Sequence, residues 1–225
     1  MKTDSVTALK EQQALSLLVA ITASAALALT YLIAVRTPLG QALDTRIMLA
    51  VSARLDGQAW PSEVLALVSP RSVVVASAVL TAITAVWRGG TTALKVLATV
   101  VGTILAAALL KAVLVRPEFL DQATNSLPSG HVAAVAGVAA AATIAAPAIH
   151  RGWTALIGAT ATTITGIATL ALQWHRPSDV AAAVLLAVFV WALVNTLPRR
   201  TTRSMSRGPQ RNCGYGHPVT INAHQ

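Results

Sequence analysis

Apolar residues in this chain fall into long unbroken runs, without the alternation of a half-buried strand or the single stripe of a soluble amphipathic helix. A hydrocarbon core about 30 Å thick requires roughly 20 helical residues to cross. Six runs come close: 15–35, 73–87, 91–113, 131–149, 153–172 and 180–197. The start of the second is blurred by Pro70, which lacks a backbone donor and disfavours helix at Ser69. Residues 62–69 therefore either extend that helix upstream or form a separate interfacial turn. Residues 36–62 and 114–130 read as long loops. Short links at 88–90 and 150–152 make spans two and three, and four and five, antiparallel neighbours. The expectation is an all-α integral membrane bundle of six transmembrane helices over residues 1–197, followed by a basic, disordered cytoplasmic tail at 198–225.

Composition strengthens this reading. Over 225 residues, 55% are hydrophobic and 11% charged, and the mean hydropathy is +0.64. A soluble enzyme, a disordered chain and a disulfide scaffold are thereby excluded. Cys213 is the single cysteine, so no disulfide can close within the chain. A net charge of +9 would suit nucleic acid in a soluble protein. Here Arg199, Arg200, Arg203, Arg207 and Arg211 follow the last apolar run directly, without interleaved aromatics. The charge is assigned to a juxtamembrane tail facing anionic lipid headgroups, with no nucleic-acid partner.

The first run outlasts a signal-peptide core and continues beyond the small-residue site Ala26-Leu27-Ala28, so it is read as an uncleaved span. Six spans put both termini on one side. With the N-terminus in the cytoplasm, Lys2, Lys10, Arg88, Lys95, Arg151 and the five tail arginines lie inside. Outside are Arg36, Arg46, Arg54, Arg71, Lys111, Arg116 and Arg176. This bias orients the chain as a multi-pass cell-membrane protein.

Ionisable side chains near membrane depth are costly and mark candidate sites. Lys111 and Arg116 close the third span, His131 opens the fourth, and His175 and Asp179 open the sixth. In the six-span plan all five reach the same outer surface. Pro128-Ser129-Gly130-His131 precedes an apolar run. Ser129 suits an N-cap, Gly130 permits close approach to the backbone, and the first-turn amides favour an anion. Alone, this would also fit a simple helix cap, and Lys111 and Arg116 would also fit snorkelling cations. Together they supply the positive charge that a phosphate monoester or diphosphate requires. His175 and Asp179 stand four apart with Pro177 between them, a spacing that lets a first-turn carboxylate fix an imidazole tautomer. A metal held by His131, His175 and Asp179 is disfavoured because Lys111 and Arg116 would repel it. No metal or other cofactor is expected.

Lys111 with Arg116-Pro117, Pro128-Ser129-Gly130-His131, and His175 with Asp179 resemble the three-part signature of the type 2 phosphatidic acid phosphatase family. The resemblance implies a metal-independent membrane phosphatase acting on a lipid phosphate or diphosphate. Its substrate would be a polyprenyl diphosphate in cell-wall synthesis, phosphatidylglycerophosphate or phosphatidate, entering from the bilayer. On that pattern His175 attacks phosphorus, Asp179 orients it and His131 protonates the leaving oxygen. Lys111, Arg116, Ser129 and the Gly130 amide hold the phosphoryl oxygens. Two departures stand out. Four residues separate Lys111 from Arg116, where the family has six. The family's Ser-Arg pair, seven and six residues before the histidine, is here Ala168-Thr169. Arg176 is the nearest cation that could compensate, and a non-catalytic lipid-phosphate binder or transporter is the alternative expectation.

Overall fold

A computed structural model describes residues 2–117, 119 and 126–197. The proposed tail at 198–225 and most of the segment from 118 to 125 lie outside the described residues. Among the described residues, eight α-helices follow in order: α1 (Lys2–Thr30), α2 (Pro38–Arg54), α3 (Trp60–Leu67), α4 (Pro70–Arg88), α5 (Gly90–Val113), α6 (Gly130–Ala145), α7 (Arg151–Ala171) and α8 (Pro177–Thr196). A π turn, Tyr31–Val35, ends α1, and a 3-10 turn, Ala148–His150, leads into α7.

Five helical stretches are long and apolar enough to span a bilayer, and α6 is a shorter apolar helix. The protein is an all-α, multi-pass membrane bundle. Its outer surface carries Leu15, Ile21, Val86, Trp87, Leu105 and Ile157, all more than half exposed, as lipid contact demands. Polar side chains within the spans bond to their own helices: Thr103 Oγ1 donates to the Thr99 carbonyl at 2.7 Å, and Thr84 to Leu80 at 2.6 Å.

The core lies between α5, α6 and α8. Val96 and Val100 meet Ala141, Ile144, Val190 and Val194 in one cluster, and Ala107, Val132, Ala133, Ala183 and Leu186 form another nearer the histidines. Small residues let the helices approach closely. A Cβ built on Gly158 of α7 would lie 2.6 Å from the Ala139 Cβ of α6.

The described boundaries differ from expectation in two places, the first and third below, and in the second decide between two expected alternatives. First, α6 stops at Ala145 because Pro147 cannot continue it, so the fourth span is 16 residues long and does not reach Ile149. Second, residues 62–69 are not part of α4. Ser69 caps α4, accepting from the Ser72 amide at 3.1 Å, and α3 stands apart. Third, the expected loop at 36–62 contains α2, whose 17 residues begin with a Thr37 cap and Pro38. This helix buries Gln41, Asp44 and Met48 while Leu39, Leu43 and Ile47 face outward. Its polarity is inverted, so a search for unbroken apolar runs passes over it.

Candidate active site

Three helix ends build the site. The C-terminus of α5 carries Lys111, and the chain then extends through Leu114 to Pro117. Tyr31 Oη donates to the Val115 carbonyl at 2.8 Å, and Gln41 Nε2 donates to the Pro117 carbonyl at 2.8 Å. Val115 consequently faces outward and Arg116 inward, where it is buried.

The N-terminus of α6 carries Ser129, Gly130 and His131. Ser129 is fully buried, and its hydroxyl oxygen accepts weakly from the Val132 amide at 3.5 Å. Its own N–H donates to the Asp179 carbonyl at 3.0 Å, which joins the start of α6 to the start of α8. Gly130 is open, and a Cβ built there would meet nothing within 4 Å. The His131 ring packs against Trp174 with centroids 5.7 Å apart and lies within electrostatic range of His175 and Lys111.

Between α7 and α8 the chain reverses through Gln173, which adopts a left-handed φ of 57°. The Gln173 amide bonds to the Leu170 carbonyl, and the Trp174 amide to the Thr169 carbonyl at 3.0 Å, a Schellman closure. The His175 amide also reaches the Thr169 carbonyl, at 3.3 Å. Thr169, standing where the related signature has arginine, is fully buried and holds the histidine loop through its backbone.

Asp179 joins these parts. Its Oδ1 accepts from Arg116 Nη2 at 2.9 Å, and Oδ2 accepts from the Arg176 amide at 2.9 Å and from the Ser126 hydroxyl. His175 Nδ1 lies 3.5 Å from Oδ2, an ion-pair separation that does not make a hydrogen bond. Two stronger donors, the Arg176 amide and the Ser126 hydroxyl, occupy the Asp179 oxygen nearest the ring. Arg116 was expected to face a phosphoryl group, but it turns inward to Asp179 and to Ser178 Oγ at 3.4 Å.

Asp44 of α2 completes the buried layer. Its Oδ1 accepts from the Ser178 amide at 2.8 Å and Oδ2 from the Ser178 hydroxyl, so a carboxylate caps the positive end of α8. Arg116 Nη1 lies 3.9 Å away from it. Burial raises the Asp44 carboxyl above its ordinary range, and the Ser178 bonds offset this only partly. Arg176 reaches Thr45 Oγ1 at 3.4 Å and Ser126 Oγ at 3.5 Å, and its half-burial lowers the guanidinium below its ordinary range.

The arrangement has two tiers. Lys111, Gly130, His131 and Trp174 form a more accessible tier, above a buried tier of Asp44, Arg116, Ser129, His175, Ser178 and Asp179. Sequence reasoning missed Asp44, Ser126 and Ser178. For Asp44 the available signal was a Thr-Pro helix start at 37–38 seven residues before a carboxylate. Among the described residues, no three His, Cys, Asp or Glu side chains gather as a metal-binding group.

Residues 111–203 match the PAP2 superfamily, and this stretch carries all three motif blocks. The fold of the chain is similar to that of a transmembrane PAP2-type phosphatidylglycerolphosphate phosphatase from Bacillus subtilis, with a TM-score of 0.64 and 21% identity over 78% of this chain and 93% of that one. No curated protein matches the chain.

Proposed function

We propose that this protein is a lipid phosphate phosphatase that works through a phosphohistidine on His175. The observation that carries the reading is the meeting of His131, His175, Lys111 and the open Gly130 amide at one end of the bundle, above an anchored Asp179. With Nδ1 directed to Asp179, Nε2 of His175 is the nucleophile. It forms a P–N bond as the P–O bond to the lipid breaks, and His131 gives its proton to the departing oxygen. Water then gives a proton to His131 and attacks phosphorus, breaking the P–N bond and releasing phosphate. Lys111 and the Gly130 amide stabilise the phosphoryl oxygens, and buried Ser129 caps the helix that presents that amide. Arg116 acts through Asp179.

The substrate class is a membrane lipid with a terminal phosphate or diphosphate. Phosphatidylglycerophosphate is favoured by the fold likeness, and polyprenyl diphosphate and phosphatidate are the other members of the class. The excess of Lys and Arg at the opposite end of the bundle supports a site on the outer face of the cell membrane. A non-catalytic lipid-phosphate binder is favoured by one observation, the fully buried Thr169 in place of the family's arginine. Phosphate release by the purified full chain, measured on these three lipids in EDTA, separates the readings. Release supports the phosphatase without added metal. No release on any lipid, with binding retained, supports the binder.

A further inference from the structure

At the end of the bundle opposite the histidines, a cavity of about 570 Å³ opens between α1, the α4–α5 turn, the end of α6, the start of α7 and the end of α8. Among the described residues, three cations line it, Arg88, Lys95 and Arg151, and no acidic residue does. Arg88 Nη1 and Arg151 Nε both donate to the Ala146 carbonyl, at 3.0 and 3.3 Å, so one neutral oxygen draws two guanidinium groups together. Lys95 Nζ donates to the Leu197 carbonyl at 2.7 Å. The first turn of α5 also faces this end without a side-chain cap, so its amides add positive potential. Paired guanidinium groups beside a helix N-terminus suit the geometry of a phosphate group.

The cavity walls say more about the occupant. Leu15 and Val19 line one side, and Leu15 is largely exposed on the lipid-facing surface of α1. Thr92 and Asn195 supply neutral hydrogen-bonding groups. A charged interior with an exposed leucine of α1 on its wall fits an anion carrying an apolar tail.

We propose that this cavity is a second phosphate-binding site, separate from the histidine site, which takes the anionic phosphate group of a phospholipid from the leaflet opposite the histidines. The proposal is independent of catalysis by His175. Its test uses the full chain carrying His175→Ala in neutral detergent, where thermal unfolding is followed against short-chain phosphatidylglycerol, short-chain phosphatidylcholine and inorganic phosphate. Each cation beside an anionic headgroup contributes a factor of about five in affinity. Phosphatidylglycerol should therefore raise the midpoint, and Arg88→Gln with Arg151→Gln should weaken that effect about 30-fold. Phosphatidylglycerol acting alone identifies a lipid headgroup. Equal protection by inorganic phosphate overturns the lipid assignment and leaves a free-anion site.

Equal protection by phosphatidylcholine, or an unchanged response in the double variant, overturns the proposal outright. Should the double variant fail to fold, Gln12→Cys with Cys213→Ser keeps all three cations. Phosphatidylglycerol should then slow maleimide labelling at position 12, on the cavity wall. An unchanged labelling rate counts against the site.

Discussion

Arg116 Nη2 donates to Asp179 Oδ1 at 2.9 Å with both side chains fully enclosed. A buried ion pair of this kind adds little net stability when intact, yet removing one partner strands a charge and costs about 3–5 kcal/mol. Asp179 is thus a structural anchor as well as a neighbour of His175. The two roles can be separated by experiment.

His175→Ala should abolish phosphate release with little change in the unfolding midpoint. Asp179→Asn should lower both, because it strands Arg116 in addition to disturbing the imidazole. Phosphate release and thermal unfolding of the same preparations check this. Near-normal activity in His175→Ala would rule out the phosphohistidine.

Asp44 has a pH signature. Its folded-state carboxyl is raised above 3.8, chiefly by burial, so between that value and the raised one the native chain keeps a proton that the unfolded chain has lost. The stabilisation from this group is complete below 3.8 and disappears as pH rises through the raised value. Asp44→Asn should remove that dependence. Unfolding midpoints of both proteins across an acid-to-neutral series should diverge over this window, and a constant difference would contradict the assignment.

Arg176 is the cation proposed to compensate for Thr169. Arg176→Ala should reduce kcat/KM on the order of 10²-fold, with Arg176→Lys recovering part of the loss. The effect should shrink in a Thr169→Arg background, provided the buried site accepts the larger side chain. Additive effects in that double-mutant cycle would argue against compensation.

Orientation is open to thiol labelling. With Cys213→Ser, an impermeant maleimide should label Asp56→Cys, between α2 and α3, from outside intact cells. It should label Ile149→Cys, at the other end, only after permeabilisation. The reverse pattern would put the proposed reaction on the cytoplasmic side.

Much of this architecture was legible in the sequence because lipid-facing helices announce themselves as uninterrupted apolar runs. The three motif blocks were legible too, since each sits where such a run begins or ends. What escaped was polar and tertiary. Ser178 looked like an ordinary first-turn residue, and its partner Asp44 lay in a stretch read as a loop, 134 residues away. The inward turn of Arg116 depends on Tyr31 and Gln41 holding the carbonyls on either side of it, an arrangement that local spacing does not encode.

The reversed polarity of α2 gives the bilayer a structural task. Leu39, Leu43 and Ile47 offer acyl chains their greasy side, while Asp44 on the other side clamps the first turn of α8 beside the histidines. A push on the apolar side of α2 would bear on this clamp. The packing around α2 would then be felt at Ser178, three residues beyond His175.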